Sequence, residues 1–98
     1  MKWPWVVFAA FVLLLAMSGP ATTFGDGIHI VGADIFPGTY RTTGPTPGGS
    51  GCDWKRLKEI DGNPDSIIER NPEKFTVVIL DSDRAFETSG CNTWRKIG

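Results

Sequence analysis

The stretch FETSGCNTWRKI, residues 86–97, repeats a pattern already present between residues 40 and 57. Tyr40-Arg41-Thr42-Thr43-Gly44 and Phe86-Glu87-Thr88-Ser89-Gly90 both read aromatic, charged, Thr, hydroxyl, Gly. Cys52-Asp53-Trp54-Lys55-Arg56-Leu57 and Cys91-Asn92-Thr93-Trp94-Arg95-Lys96-Ile97 both read Cys, polar gap, Trp, two basic residues, aliphatic. The first copy inserts Pro45 to Gly51, and the Cys-to-Trp gaps differ by one residue, which suggests a bulge in one copy. Upstream, Val31 and Asp34 match Val78 and Asp81 with a slip of one position. The repeat reads as two duplicated hairpins, each with its Cys at the start of the second strand. If the two pair about a pseudo-two-fold axis, the sulfurs meet.

Between and around the copies lie short β-forming runs divided by Pro/Gly turns. Residues 28–31 and 39–43 alternate as strands. Asp34 to Gly38, Asp61 to Asp65 and Asn71 to Glu73 carry turn chemistry, and GPTPGGSG, residues 44–51, reads as a loop. Cys52 to Ile60 reads as a strand with Trp54 and Arg56 on one face and Leu57 offset. Residues 66–70 read as a short strand or a single helical turn. FTVVIL, residues 75–80, is apolar on both faces, so it is expected to be a central strand covered on both sides. With no sustained helical period after residue 21, the fold class is all-β: a small disulfide-stapled β-sandwich or barrel-like domain of short antiparallel strands.

The staple follows from size. About 77 residues remain after Ala21, and a core that small is thin. The only cysteines, Cys52 and Cys91, both lie in this part and read as one disulfide in an oxidising compartment. A closed loop of 40 residues, counting both ends, is worth roughly 4 kcal/mol in the chain-entropy model.

The compartment follows from residues 1–21. Lys2 is the single charge ahead of VVFAAFVLLLAM, residues 6–17, and Ser18, Gly19, Pro20 and Ala21 follow. A positive head, an apolar run and a small-residue exit form the layout of a signal peptide. A short membrane anchor is the competing reading, favoured by Trp3 and Trp5. Trp3 to Met17 spans only 15 residues, where a crossing needs about 20. Cutting before Gly19 or before Thr22 satisfies the small-residue rule equally. The expected division is a targeting segment at 1–21, a flexible lead-in at 22–27 and a β domain at 28–98. The protein is expected to be secreted, or anchored on the outer side of the cytoplasmic membrane.

The string Val31-Gly32-Ala33-Asp34-Ile35-Phe36-Pro37-Gly38-Thr39-Tyr40, then Cys52-x-Trp54 and Asp83-x-x-Phe86-x-x-x-Gly90-Cys91-x-x-Trp94, resembles a group of uncharacterised exported proteins of Gram-positive bacteria and their phages, some labelled lipoproteins. The resemblance implies export and a β-rich domain, and brings no activity or site residues. No Cys follows the apolar run, so a lipid anchor is not carried over.

Reactive chemistry is sparse. Dropping Lys2 from ten basic residues leaves nine against eleven acidic, a net charge of −2, which gives no footprint for nucleic acid. The membrane enters only through the N-terminal segment. His29 is the lone histidine, between Ile28 and Ile30, and reads as a surface or half-buried strand residue. Asp61-Gly62-Asn63-Pro64-Asp65 starts like a calcium loop but has Ser66 and Pro72 where Gly and Glu are needed, so it reads as a turn. Asp81-Ser82-Asp83 reads as strand-end hydrogen bonding. No catalytic residue, metal or cofactor is assigned. The candidate binding surface is Trp54, Trp94, Lys55, Arg56, Arg95 and Lys96, although for the two tryptophans the favoured reading is that they cover the disulfide and fill the core. The function expected is a non-enzymatic interaction or structural module binding an unknown protein or envelope component. A small inhibitor presenting the 44–51 loop is the alternative, and a hydrolase built on His29 the third.

Overall fold

A computed structural model of the protein describes residues 19–98. The expected targeting segment at 1–21, except its last three residues, lies outside the described residues. Eight strands follow: β1 (Thr23–Phe24), β2 (Gly27–Ile30), β3 (Gly38–Arg41), β4 (Asp53–Leu57), β5 (Ile67–Glu69), β6 (Thr76–Ile79), β7 (Ala85–Ser89) and β8 (Trp94–Lys96). One 3-10 turn, Pro64–Ser66, precedes β5. The strands form two antiparallel four-stranded sheets, ordered β1-β8-β3-β6 and β2-β7-β4-β5. The domain is therefore the all-β, disulfide-stapled sandwich that its turn spacing predicts.

The duplication is present, but its halves interlock. β3 and β4 lie in different sheets, and so do β7 and β8. Each copy is thus an arch crossing between sheets, and its strands pair with those of the other copy. Tyr40 faces Lys96 and Arg41 faces Arg95 across β3–β8. At equivalent positions Phe86 faces Arg56 and Glu87 faces Lys55 across β7–β4. The flanking strands obey the same relation, since β6 adds to β3 at Tyr40–Val77 and β2 adds to β7 at Phe86–His29. So β1–β4 maps onto β5–β8 about a pseudo-two-fold axis. The physical reason for arches over hairpins is the aromatic pattern. A hairpin sets the side chains of its two strands beside each other in one sheet, whereas an arch points them at each other across the core.

Tyr40, Trp54, Phe86 and Trp94 all meet there, fully or almost fully buried. Trp94 meets Phe86 edge-on with centroids 5.3 Å apart, and Trp54 stacks on Phe86 at 5.8 Å. Each polar tip is satisfied: Trp54 Nε1 donates to the Lys74 carbonyl (2.8 Å), Trp94 Nε1 to Thr88 Oγ1 (2.9 Å) and the Tyr40 hydroxyl to the Phe36 carbonyl (2.7 Å). Cys52 and Cys91 are bonded, with Cα atoms 4.5 Å apart, at equivalent places in the two arches. Gly44 and Gly90 end the matched first strands, both with positive φ (109° and 73°). A side chain at Gly90 would run into the Gly51 carbonyl, so a close backbone approach beside the disulfide requires glycine there.

Two expectations need correction. FTVVIL is not central, because β6 is an edge strand. Val77 and Ile79 enter the core, while Val78 is 51% exposed on the outer face. The interlocked arches already fill the inner positions of both sheets, which leaves β6, like its counterpart β2, at an edge. Residues 22–27 are not a flexible lead-in. Phe24 packs on Tyr40 (5.0 Å) and is buried, and the Asp26 carboxylate accepts from the Gly90 and Cys91 N–H groups (2.8 and 3.2 Å). Ala21, ahead of this segment, already bridges Ile35. A two-residue strand beside Gly-Asp-Gly carries no periodic signal, so the sequence alone hides it.

Candidate functional site

The six residues of the expected binding surface do not form one surface. Trp54 and Trp94 are core residues, so neither supplies an aromatic binding face. Arg56 is a clamp: Nε and Nη2 grip Asp83 Oδ2 and Oδ1 at 2.7 and 2.9 Å, and Nη1 donates to Glu69 at 3.0 Å. Asp83 is buried, and Oδ2 also accepts from the Leu80 N–H (3.0 Å). The clamp ties β4, β5 and the β6–β7 turn together, and the Asp83 and Glu69 hydrogen bonds raise the Arg56 pKa further above its ordinary value against the opposing effect of burial. Lys55 lies on the outer face of one sheet, while Arg95 and Lys96 belong to the other. The two basic clusters cannot merge because β4 and β8 occupy different sheets.

The structure instead shows a groove on the outer face of β2-β7-β4-β5, with a volume of about 310 Å³. Its floor is aliphatic: Ile28 from β2, Leu57 from β4 and Ile67 from β5. Strand alternation explains the floor, because Phe86 and Trp54 point inward and their neighbours must point out. One wall is the 59–64 loop, carrying Ile60 and Pro64; Lys55 and Glu87, directly opposite each other, and Glu59 complete the rim. Ile28 and Ile60 are 48% and 43% exposed, so large apolar side chains converge on open space.

The wall is held by the turn that begins like a calcium loop. The Asp61 carboxylate accepts from the Asn63 N–H (2.9 Å) and the Ser66 hydroxyl (2.8 Å), which keep its pKa below the ordinary value. Asn63 Oδ1 accepts from the Asp65 N–H (2.9 Å), capping the 3-10 turn, and Lys58 donates its N–H to the Ser66 carbonyl (2.9 Å). The oxygen atoms that could have held a cation hold the backbone. No group of three metal-ligating side chains occurs among the described residues. Asp83 likewise bonds the strand end. His29 lies half-buried on Phe24 with centroids 4.6 Å apart, and its Nε2 is 2.8 Å from the Gly25 carbonyl.

Sequence reasoning missed this groove because its parts come from four separate strands and a loop. The legible signal was the alternation that turns Ile28 and Leu57 outward. Residues 21–95 match the model of a family described as the Rv1352-like extracellular domain. The chain belongs to that family. Two of its relatives are "Uncharacterized protein Rv1352" of Mycobacterium tuberculosis (strain H37Rv) and "Uncharacterized protein Mb1387" of Mycobacterium bovis. Each is 34% identical over 85 aligned residues, covering 74% of this chain and 69% of the relative. No solved structure matches. The family is described as extracellular, which agrees with the disulfide, and its matched segment starts at the residue that bridges Ile35, Ala21.

Proposed function

We propose that this Rv1352-like domain acts outside the cell by binding and not by turnover, and that the groove on β2-β7-β4-β5 holds one or two apolar side chains of a partner protein. The observation that carries the reading is the convergence of Ile28, Leu57, Ile60 and Ile67 on one open concavity rimmed by both signs of charge. Its volume sits at the small end of ligand sites, about 300–1,000 Å³, and suits side chains better than a whole metabolite. A photo-crosslinking residue at position 60, in the protein produced by its own cells, tests it. The reading expects a discrete adduct from position 60, lost with Ile28→Lys, and none from position 82 on the exposed β6–β7 turn. Equal labelling from both positions, or turnover of a defined substrate abolished by His29→Ala, would overturn it.

A second reading, an inhibitor presenting the 44–51 loop, draws on how the loop is built. Its base is pinned, since Pro45 bridges Cys91 and Thr46 donates its N–H to the Gly90 carbonyl (3.0 Å), while its tip is exposed. That is the form of a presented loop.

Residues 1–21 supply the export signal in this account, with removal favoured over anchoring. The Ala21 N–H donates to the Asp34 carbonyl (2.8 Å), and its carbonyl accepts from the Phe36 N–H (3.0 Å). Cutting before Gly19 keeps both bonds; cutting before Thr22 loses them. The mass of the natural product is expected to correspond to residues 19–98 with the disulfide formed.

A further inference from the structure

The outer face of the other sheet, β1-β8-β3-β6, carries a row that runs across all four strands. Thr23 pairs with Arg95, Arg95 with Arg41, and Arg41 with Thr76. Their neighbours Phe24, Trp94, Tyr40 and Val77 are buried, so alternation turns all four row residues outward. Two arginines therefore lie directly opposite each other, with Cβ atoms about 5 Å apart, an arrangement that ordinarily destabilises a sheet. Among the described residues, neither guanidinium makes an ion pair or a hydrogen bond, although other carboxylates are matched with Arg56, Arg70 and Lys74. The counterpart position in the other arch shows the ordinary solution, where Lys55 faces Glu87. One row further along, the face carries Val78 and Thr39, again without a carboxylate. A domain with a net charge of −2 thus keeps two adjoining rows without an acid, around two unmatched guanidiniums and two flanking hydroxyls.

We propose that the Arg41–Arg95 pair at the centre of this row is a binding site for a phosphate group. Two guanidinium forks present parallel N–H donors suited to oxyanions, and two positive charges match the roughly −1.5 to −2 of a phosphate monoester. Thr23 and Thr76 lie on the two edge strands, about 14 Å apart across three strand spacings, so the phosphate is held by the arginine pair between them. A bound phosphate also removes the repulsion between the arginines, so ligand binding and strand pairing reinforce each other. The site lies on the opposite face of the sandwich from the groove, so it is independent of the partner-binding reading. The negative net charge works against a broad anionic membrane, so the favoured source is a phosphate carried by a soluble molecule or an envelope glycan.

The test is a titration of the folded protein with inorganic phosphate at constant ionic strength, following the arginine Nε–H and backbone amide resonances by NMR. Saturable shifts are expected for Arg41 and Arg95 together. Arg41→Gln and Arg95→Gln should each weaken binding by roughly tenfold, while Lys58→Gln, outside the row, leaves it unchanged. Unchanged amide spectra away from the row establish that the variants fold. Co-sedimentation with phosphatidylglycerol vesicles, but not phosphatidylcholine vesicles, would assign the phosphate to a lipid headgroup; its failure beside a saturable phosphate response assigns it to a soluble or glycan source. No saturable shift, or equal shifts in Arg95→Gln, overturns the proposal.

Discussion

The half of the molecule made of β1–β4 and the half made of β5–β8 share their inward parts and differ in their outward ones. Both halves place an aromatic residue, a positive-φ glycine, a cysteine and a tryptophan at matching points. Outside, the correspondence fails. Lys55–Glu87 over one sheet becomes Arg95–Arg41 over the other. Arg56, clamped to Asp83 and Glu69, corresponds to exposed Lys96. Ile28-His29-Ile30 on one edge becomes Thr76-Val77-Val78 on the other. What the halves share builds the core; what they do not share is surface, where the proposed binding would reside.

The largest effects should fall on the shared parts, and equally. Trp54→Ala and Trp94→Ala should each lower unfolding free energy by about 3–5 kcal/mol in chemical denaturation. A loss confined to one of them would break the equivalence of the arches. Removing the staple with Cys52→Ser and Cys91→Ser together should cost about 2–5 kcal/mol, read in the same way.

The unshared parts should answer unequally. Arg56→Ala leaves buried Asp83 without its partner and should cost about 3 kcal/mol or more. Lys96→Ala at the corresponding point should stay within about 0.5 kcal/mol. Equal costs would mean that the clamp is a surface pair. Acid gives a finer contrast. Arg70 hydrogen bonds lower the Asp53 pKa; for Glu69, burial works against the charge, yet the bonds from Arg56 and Lys74 outweigh it and the pKa is lowered. A depressed folded pKa contributes stability above the unfolded value, about 3.9 for Asp and 4.3 for Glu, that is lost as pH falls through the folded value. These groups are partly exposed, so each should contribute under about 1 kcal/mol. Stability should therefore hold from neutral pH to about 5 and decline below about 4, with hydrogen-exchange protection failing in β4 and β5 before β3 and β8.

The smallest effect belongs to β6. Val78→Lys on its outer face should change stability by less than about 0.5 kcal/mol, because half of that side chain already faces solvent outside the core. A large loss would mean that the strand is covered, as its composition suggested.

That strand shows where the sequence stops being informative. Composition distinguishes an apolar strand from a polar one, but position in a sheet depends on which strands claim the inner places. Here the arches claim them. The staple and the repeat were legible because each rests on residue identity: two cysteines, and two runs ending in Trp and basic residues. The interlocking was not, because a hairpin and an arch share the same string of residues. Trp54 and Trp94 fill the core, the reading favoured for them from sequence, because one face of each strand has to be buried. The groove and the Arg41–Arg95 row went unseen because both are products of register, with members up to 72 residues apart on different strands.

The interlocked arches are tested most directly by the nuclear Overhauser contacts between opposing Hα protons. Ile97 donates its N–H to the Thr39 carbonyl (2.8 Å), and Val31 to the Arg84 carbonyl (3.1 Å). By alternation, Tyr40–Lys96 and Phe86–Arg56 are then non-hydrogen-bonded pairs, whose Hα protons face each other closely. Strong Hα–Hα contacts are expected for both pairs. Contacts joining β3 to β4 and β7 to β8 in their place would show two self-paired hairpins and contradict the account.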